Sequence, residues 1–498
     1  MAGVFAISVW LFAQHMQIGA ITADWGWLYR AGQAIRADGL PRHDLFSWTF
    51  PDRPWVLYQW LFEVVAAPLY TTLGLSGSVF GVGLLGLTAY AFVPAAALRR
   101  DGVHPVWPLL IGALILLPVS TNLGLRPMLA SNFALLAQYL VIQRLRRGQA
   151  STRSTALCMA AIYALWSNMH LGFTLGLFSI SLFAAGDLWT RARRPAEAAN
   201  SLPTYALLFG VAVLASGLNP YGWTLYRYIV DLSLETRMNA HIHELMPPRL
   251  GNPYMQVGAA LLFVFGGLAL VFRRVLSAAE ILHMIAFTAL AFTAMRFVIW
   301  AGLFYALIAP RLFDHAATQW SPQWLKLQLA PLATRPGRRS LVAGLSLVAA
   351  AVIIVGAPAT AGPAHLAGCA PLRQSLGYLD RHYPARTHWF SSETAGSCAR
   401  FYTPDRRIFI DTRFDMYPED FVLRWFRAYQ YREHWRALFK RWRIRVVLLP
   451  RGAPLVDTLR HDRHWRIVHE DGGALVFDSP AGSTPARSAD WADQFPTR

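Results

Sequence analysis

The chain has 498 residues, 55% of them hydrophobic, and a mean hydropathy of +0.32. Only 15% are charged, against about 25% in soluble domains, which excludes an ordinary large soluble enzyme and points to a polytopic membrane protein. The formal net charge of +18 does not indicate nucleic acid: the cations fall in short runs between apolar segments and form no folded basic face.

The first apolar run starts at Met1, and no convincing small-residue cleavage site precedes Asp24, so residues 2–20 read as an uncleaved span. A bilayer crossing takes roughly 20 apolar residues. That length predicts eleven spans, at 2–20, 74–98, 106–122, 128–143, 154–168, 171–189, 203–218, 255–272, 279–294, 297–313 and 340–357. The basic runs are Arg99-Arg100, Arg144 to Arg147, Arg191 to Arg194, Arg273-Arg274 and Arg335 to Arg339. With this set of spans all of them fall on one side, which is the positive-inside pattern of a cytoplasmic face. The amino terminus is then inside and the carboxyl end outside. Residues 154–189 keep that pattern only as two short spans turning at Ser167 to His170, and 279–313 splits in the same way at Met295-Arg296.

Three pieces are then expected outside. The loop 21–73 has helical stretches around 25–38 and 54–72, and the loop 219–254 carries "NPYGWTLY" and "NAHIHELMPPR". The third piece is the tail. Its runs "THWFSS", "RRIFID", "RVVLLP", "WRIVHED" and "GALVFDS" read as short strands, with helices at 371–383, 418–428 and 431–442. That alternation predicts a small α/β domain. The expected organisation is a transmembrane domain 1–358 with outward loops 21–73 and 219–254, a periplasmic domain 359–482, and a loose end 483–498. Cys158 falls inside a span and reads as a buried apolar residue. Cys369 and Cys398 lie in the tail, where an oxidising compartment permits a disulfide; two free buried thiols are the alternative.

Asp24 ends the first span and is followed at once by Trp25, Trp27 and Tyr29. Its loop adds Asp38, Asp44, Asp52 and Glu63. Other polar groups stand at outward span ends: Arg126, Asn168, His170, Asn219 and Arg296. Ionisable groups at that depth commonly face a cavity and mark function. Such a set suits group transfer from a lipid-borne donor. A carboxylate takes a proton from an acceptor hydroxyl or amine, and arginines hold a phosphate through charge-assisted hydrogen bonds. Asp24 is the candidate catalytic acid; Arg30, Asp44, Glu63, Arg126, Asn168, His170, Tyr221 and Arg296 are candidate substrate-binding residues. Each has a structural alternative: an interfacial carboxylate, Arg126-Pro127 as a helix start, His170 as a satisfied turn donor, Asn219 to Gly222 as a turn. "DTRFD" (Asp411, Arg413, Asp415) reads as an ion-pair network behind a strand, with a lid or acceptor-recognition role as the alternative. His241, His243 and Glu244 are the candidate ligands for a divalent metal, which stays open. No GxxxxGK[ST], HExxH or GxSxG motif occurs.

The order of "DWGWLYRAGQAI", "LPRHDLFSWTF", "PWVLYQWLFE", "LRPML", "WSNMHLGFTLGL", "GLNPYGWTLY" and "MRFVIWAGLFYALIAPRL" resembles the large membrane glycosyltransferases of the GT-C type, and so does the tail "RRIFIDTRFDMYPEDF", "VVLLP", "WRIVHEDGGALVF". Relatives of that class are the oligosaccharyltransferase catalytic subunits, the protein mannosyltransferases and the lipid A aminoarabinose transferase. The resemblance implies a polyprenyl-phosphate sugar as donor and a glycan, lipid or protein of the envelope as acceptor. The setting would be the periplasmic face of a bacterial inner membrane. It also implies an essential acid in the first outward loop, which maps onto Asp24, and inversion at the anomeric carbon. Two departures stand out. The loop "STNLGLRPM" lacks the acidic pair of metal-dependent members, and the tail lacks a WWDYG-type motif, which disfavours en bloc transfer to asparagine. A catalytically silent scaffold or lipid-binding partner is therefore the alternative function. A transporter would show symmetric halves, and none are evident.

Overall fold

In the computed structural model, residues 2–193, 201–234, 236–320 and 367–479 are described. The expected span 340–357, the basic run 335–339 and the end 483–498 lie outside them. The chain forms two compact units. One comprises Met1–Thr22 and Tyr58–Ala367, the other Ala23–Leu57 and Gly368–Arg498.

The first unit is helical: α1 (Ala2–Gly19), then α3 (Trp60–Leu87) to α14 (Val298–Trp320). Many of its helices carry apolar side chains on all faces, as segments between a protein core and lipid must. α3 holds a residue with φ 65° at Gly74, a left-handed conformation that glycine adopts without steric cost. The expected loop helix 54–72 and the expected span 74–98 are thus one helical run broken at Gly74. A π-helical turn, Thr88–Phe92, leads from it into α4 (Val93–Leu98). Next come α5 (Val106–Ser120), α6 (Met128–Arg146), α7 (Thr152–Trp166), α8 (Phe173–Arg193) and α9 (Leu202–Ser216). They are followed by α10 (Thr224–Leu234), α11 (Thr236–Asn239), α12 (Pro253–Val271) and α13 (Ala278–Thr293).

Capping fixes several starts. Ser151 accepts from the Ser154 N–H, and Ser277 with Glu280 forms a reciprocal capping box at α13. The break before α14 falls at extended Ala294, followed by a 3-10 turn Met295–Phe297.

Among the described residues, four helical runs are long and apolar enough to cross a membrane: Trp60–Asp101, Phe173–Arg193, Pro253–Val271 and Met295–Trp320. Val106–Ser120, Leu202–Ser216 and Ala278–Thr293 are shorter apolar helices. Phe263 and Leu270 of α12 are 83% and 79% exposed, so this helix turns an apolar face outward, as a lipid-facing element does. Cys158 is also exposed, on α7 beside exposed Leu157. The expected burial is corrected here: the side chain is exposed on its helix face. Ion pairs tie the helices internally. Arg146 Nη2 lies 2.6 Å from Asp187 Oδ1, Tyr205 donates to Asp187 Oδ2 at 2.6 Å, and Arg311 pairs with Glu280.

The second unit joins a segment near the amino end to the carboxyl-terminal part of the chain. Its sheet runs β1-β2-β4-β3, with β1 (Trp389–Ser391), β2 (Val446–Pro450), β3 (Arg466–Glu470) and β4 (Ala474–Asp478). β1 is parallel to β2, and β4 lies antiparallel between β2 and β3, with Val447 opposite Phe477. Around it pack α2 (Trp25–Asp38), α15 (Arg373–His382), α16 (Glu393–Tyr402), α17 (Glu419–Tyr431), α18 (Trp435–Arg441) and α19 (Pro454–Arg460). Cys369 and Cys398 form a disulfide between the turn ahead of α15 and α16.

"RRIFID" is not a strand of this sheet, a correction to the sequence reading. Its backbone partners lie in the segment 46–48: Trp48 donates to the Ile408 carbonyl and Ile408 to the Phe46 carbonyl, both at 3.0 Å. α2 seats directly on α16. A Cβ at Gly26 would lie 2.0 Å from the Ser397 carbonyl oxygen, so only glycine allows this approach. Farther along, Arg30 Nε donates to the Arg400 carbonyl at 3.0 Å. The two helices therefore run side by side in the same direction.

Candidate functional site

The two units hold separate groups of candidate residues. In the first unit, four connecting segments are stitched together by hydrogen bonds. Leu125 N–H donates to the Ala20 carbonyl at 2.7 Å, Asn122 Nδ2 to the Met295 carbonyl at 3.1 Å, and Met295 N–H to the Met246 carbonyl at 2.8 Å. Segments near 20–22, 121–127, 243–246 and 294–297 are thus fixed against one another. Arg126 extends from this framework. Its Nε donates to Thr22 Oγ1 at 3.1 Å, and its Nη1 forms an ion pair with Glu244. Burial alone would raise the Glu244 pKa, but Arg126, then Arg296 and His243, hold it below the ordinary carboxylate value. Arg296 stands at the same corner. Its Nε is buried with no hydrogen-bond partner among the described residues. An isolated buried donor is costly, and in a native fold it calls for an explanation such as a ligand group.

His170 lies in the turn between α7 and α8. Its Nδ1 accepts the Gly172 N–H at 3.0 Å and is 2.7 Å from Ser131 Oγ, which itself accepts from Trp166 Nε1 at 2.6 Å. Nδ1 is therefore unprotonated, and Ser131 donates to it. Burial and the neighbouring Arg296 charge push the ring pKa down to about 3, so at neutral pH His170 is an uncharged imidazole with its proton on Nε2. Asn168 is fully engaged: its Oδ1 accepts from Trp60 Nε1 at 2.8 Å, and its Nδ2 donates to the Ala164 and Leu218 carbonyls. Tyr221 sits in the turn before α10, where its N–H donates to Asn219 Oδ1 at 2.8 Å. Glu63 is buried in α3 and accepts from Gln59 Nε2 at 3.2 Å. His241 Nδ1 lies 3.0 Å from the Arg237 carbonyl. Among the described residues no group of three or more His, Cys, Asp or Glu side chains is placed to hold a metal ion.

In the second unit Asp24 occupies the position ahead of α2 and is half-buried; its side chain makes no capping bond. Glu393, at the start of α16, is one of its electrostatic neighbours. Burial, and then Asp24, raise the Glu393 pKa, and Glu393 Oε2 has no hydrogen-bond partner among the described residues. Nothing in the sequence reading singles out Glu393; the available signal is Ser392-Glu393 as a helix start, where the Ser392 side chain accepts from the Ala395 N–H.

Asp44 is held by a buried network. It accepts from Arg413 Nη1 at 2.8 Å, from the N–H groups of Phe46 at 3.0 Å and Ser47 at 2.9 Å, and from Ser47 Oγ. Arg413 is bonded on its other edge by Asp411, with Nε 2.8 Å from Oδ2. Burial opposes ionisation of Asp44, but Arg413 and these donors hold its pKa below the ordinary value. Arg30 spends its guanidinium on the Arg400 carbonyl and on Gln33 Oε1 at 2.6 Å.

The fold of this chain is similar to that of solved oligosaccharyltransferase and ArnT structures. The Archaeoglobus fulgidus oligosaccharyltransferase in the apo form matches with a TM-score of 0.53 at 13% identity, over 90% of this chain and 69% of that one. The AglB oligosaccharyltransferase of the same organism, in complex with an inhibitory peptide and a dolichol-phosphate, matches with 0.53 at 14% identity and the same coverage. ArnT from Cupriavidus metallidurans in the apo state matches with 0.51 at 13% identity, over 98% of both chains. At such identities the likeness establishes the fold. No protein-family model matches the chain, and no curated protein matches it by sequence.

Proposed function

We propose that this protein is a membrane glycosyltransferase that moves a sugar from a polyprenyl-phosphate donor to an envelope acceptor on the periplasmic face. The observation that carries the reading is the corner at Glu244, where Arg126 forms an ion pair with the carboxylate, Arg296 acts on it electrostatically, and the Arg296 Nε is a buried donor with no partner among the described residues. A lipid phosphate needs that combination of charge and apolar surroundings. The shared fold supports it, since a structural neighbour holds a dolichol-phosphate. In this reading eleven helices cross the membrane, with the amino terminus in the cytoplasm and the α/β unit outside.

Asp24 takes the proton of an acceptor hydroxyl or amine. The freed lone pair forms the new bond at the anomeric carbon, on the face opposite the donor. The bond from that carbon to the phosphate oxygen breaks, and its electron pair leaves on polyprenyl phosphate. Arg126 and Arg296 stabilise the growing negative charge there.

The test is release of polyprenyl phosphate from labelled polyprenyl-phosphate sugars by purified protein. Asp24→Asn should stop release at unchanged expression and thermal stability. Normal release by that variant would remove Asp24 from the chemistry. Binding of donor without any turnover by the unaltered protein would instead favour a silent scaffold.

A further inference from the structure

Arg126 cannot serve a phosphate and Glu244 with the same edge of its guanidinium. The Arg126 Nη1 forms an ion pair with Glu244, while Nε is spent on Thr22. Glu244 is carried by a three-residue 3-10 turn, His243–Leu245, flanked by extended Ile242 and Met246. Its side chain is 28% exposed and that of Arg126 16%, so solvent reaches both partners. Arg296 approaches from the segment whose Met295 N–H bonds the Met246 carbonyl. Two cations and one carboxylate leave a single net positive charge in the cluster. An arriving phosphate thus meets a site already half neutralised by the protein's own anion.

We propose that Glu244 is the resident counter-ion of the phosphate corner: it occupies Arg126 while the corner is empty, gives way to the phosphate oxygens of a polyprenyl-phosphate lipid, and reclaims the arginine as that lipid leaves. The inference rests on the reading of Arg126 and Arg296 as phosphate holders. It makes Glu244 a positioning residue that sets how tightly lipid phosphate is kept. Held ionised by Arg126, Arg296 and His243, it competes at neutral pH without a proton change. A purely structural ion pair predicts the opposite sign, because its removal would loosen Arg126 and weaken binding.

The experiment titrates the full chain in detergent with farnesyl phosphate, with farnesol as the uncharged control. Glu244→Gln should bind farnesyl phosphate about tenfold more tightly, ~1.4 kcal/mol, with farnesol binding unchanged. KM and kcat should fall together as release slows. Glu244→Asp, whose carboxylate is one methylene shorter, should move in the same direction and serves if the glutamine variant is poorly folded. Equal or weaker farnesyl phosphate binding by well-folded variants overturns the proposal. Arg126→Ala and Arg296→Ala test the reading beneath it: if neither weakens binding to the unaltered Glu244 background, the phosphate corner itself is lost, whatever the glutamate variants do.

Discussion

Replacing Arg413 by methionine removes one buried ion pair among the bonds that hold the segment 23–57 to the carboxyl-terminal part of its unit. The Arg413 side chain is 1% exposed and lies between two carboxylates, Asp44 and Asp411, that are both fully buried. Methionine fills a similar volume but leaves two buried acids without a cation. Breaking a buried pair in this way costs about 3–5 kcal/mol, a large part of the roughly 5–15 kcal/mol that stabilises a domain. For a unit of this size that is a fall in Tm of roughly 10–20 °C. The assay is tryptophan fluorescence during heating, since Trp27, Trp48 and Trp55 all lie in the segment.

The pH response supplies a second, signed readout. In the unaltered protein the Asp44 pKa is depressed, so its contribution is present above the unfolded value of about 4 and is lost as pH falls through the folded value. In the variant the stranded acids gain by being protonated, so moderate acidification should recover stability. A loss below about 1 kcal/mol, or the same acid response in both proteins, would refute the reasoning.

Three further outcomes are expected. Cys369→Ser should destabilise the second unit by about 3–4 kcal/mol in the chain-entropy model, for a bridge closing a separation of 29 residues; melting with and without a reductant measures it. Gly26→Ala should cost about 1–3 kcal/mol by overpacking, because its methyl would strike the Ser397 carbonyl at 2.0 Å, and hydrogen exchange in α2 should rise. Glu280→Leu in the first unit should strand Arg311, which pairs with it through Oε1, and should lower the thermal stability of the purified protein, whereas exposed Arg227→Ala should leave it unchanged.

The helices were the most legible part of the sequence, for a physical reason. An apolar run bounded by Pro, Gly or Arg says where a helix must lie without reference to its partners. Val106–Ser120 against an expected 106–122 and Phe173–Arg193 against 171–189 are cases in point. Partner choice was not legible. "RRIFID" has the alternation of a strand, yet its hydrogen bonds go to residues 46–48, far away in sequence. α16 and α19 have no counterpart in the sequence reading; α16 is only ten residues long and rich in small and polar residues (Thr394, Ala395, Gly396, Ser397), so its apolar face is built from few large side chains. At the candidate site, Arg126 and Arg296 stand out as cations at span ends, but the pairing of Glu244 with Arg126 does not, because "HIHE" reads first as a solvated loop and only secondarily as a set of metal donors.

The pairing of Asp44 with Arg413 spans 369 residues, and this sets a timetable for biosynthesis. The aromatic segment around Trp25, Trp48 and Trp55 is made first, while everything it packs against is made last. At about 5–20 residues per second, translation leaves that segment without its partners for roughly 20–70 s. A ribosome stalled at the start of the last third of the message would leave a chain in which α3 to α14 are made but the segment 23–57 has nothing to fold against.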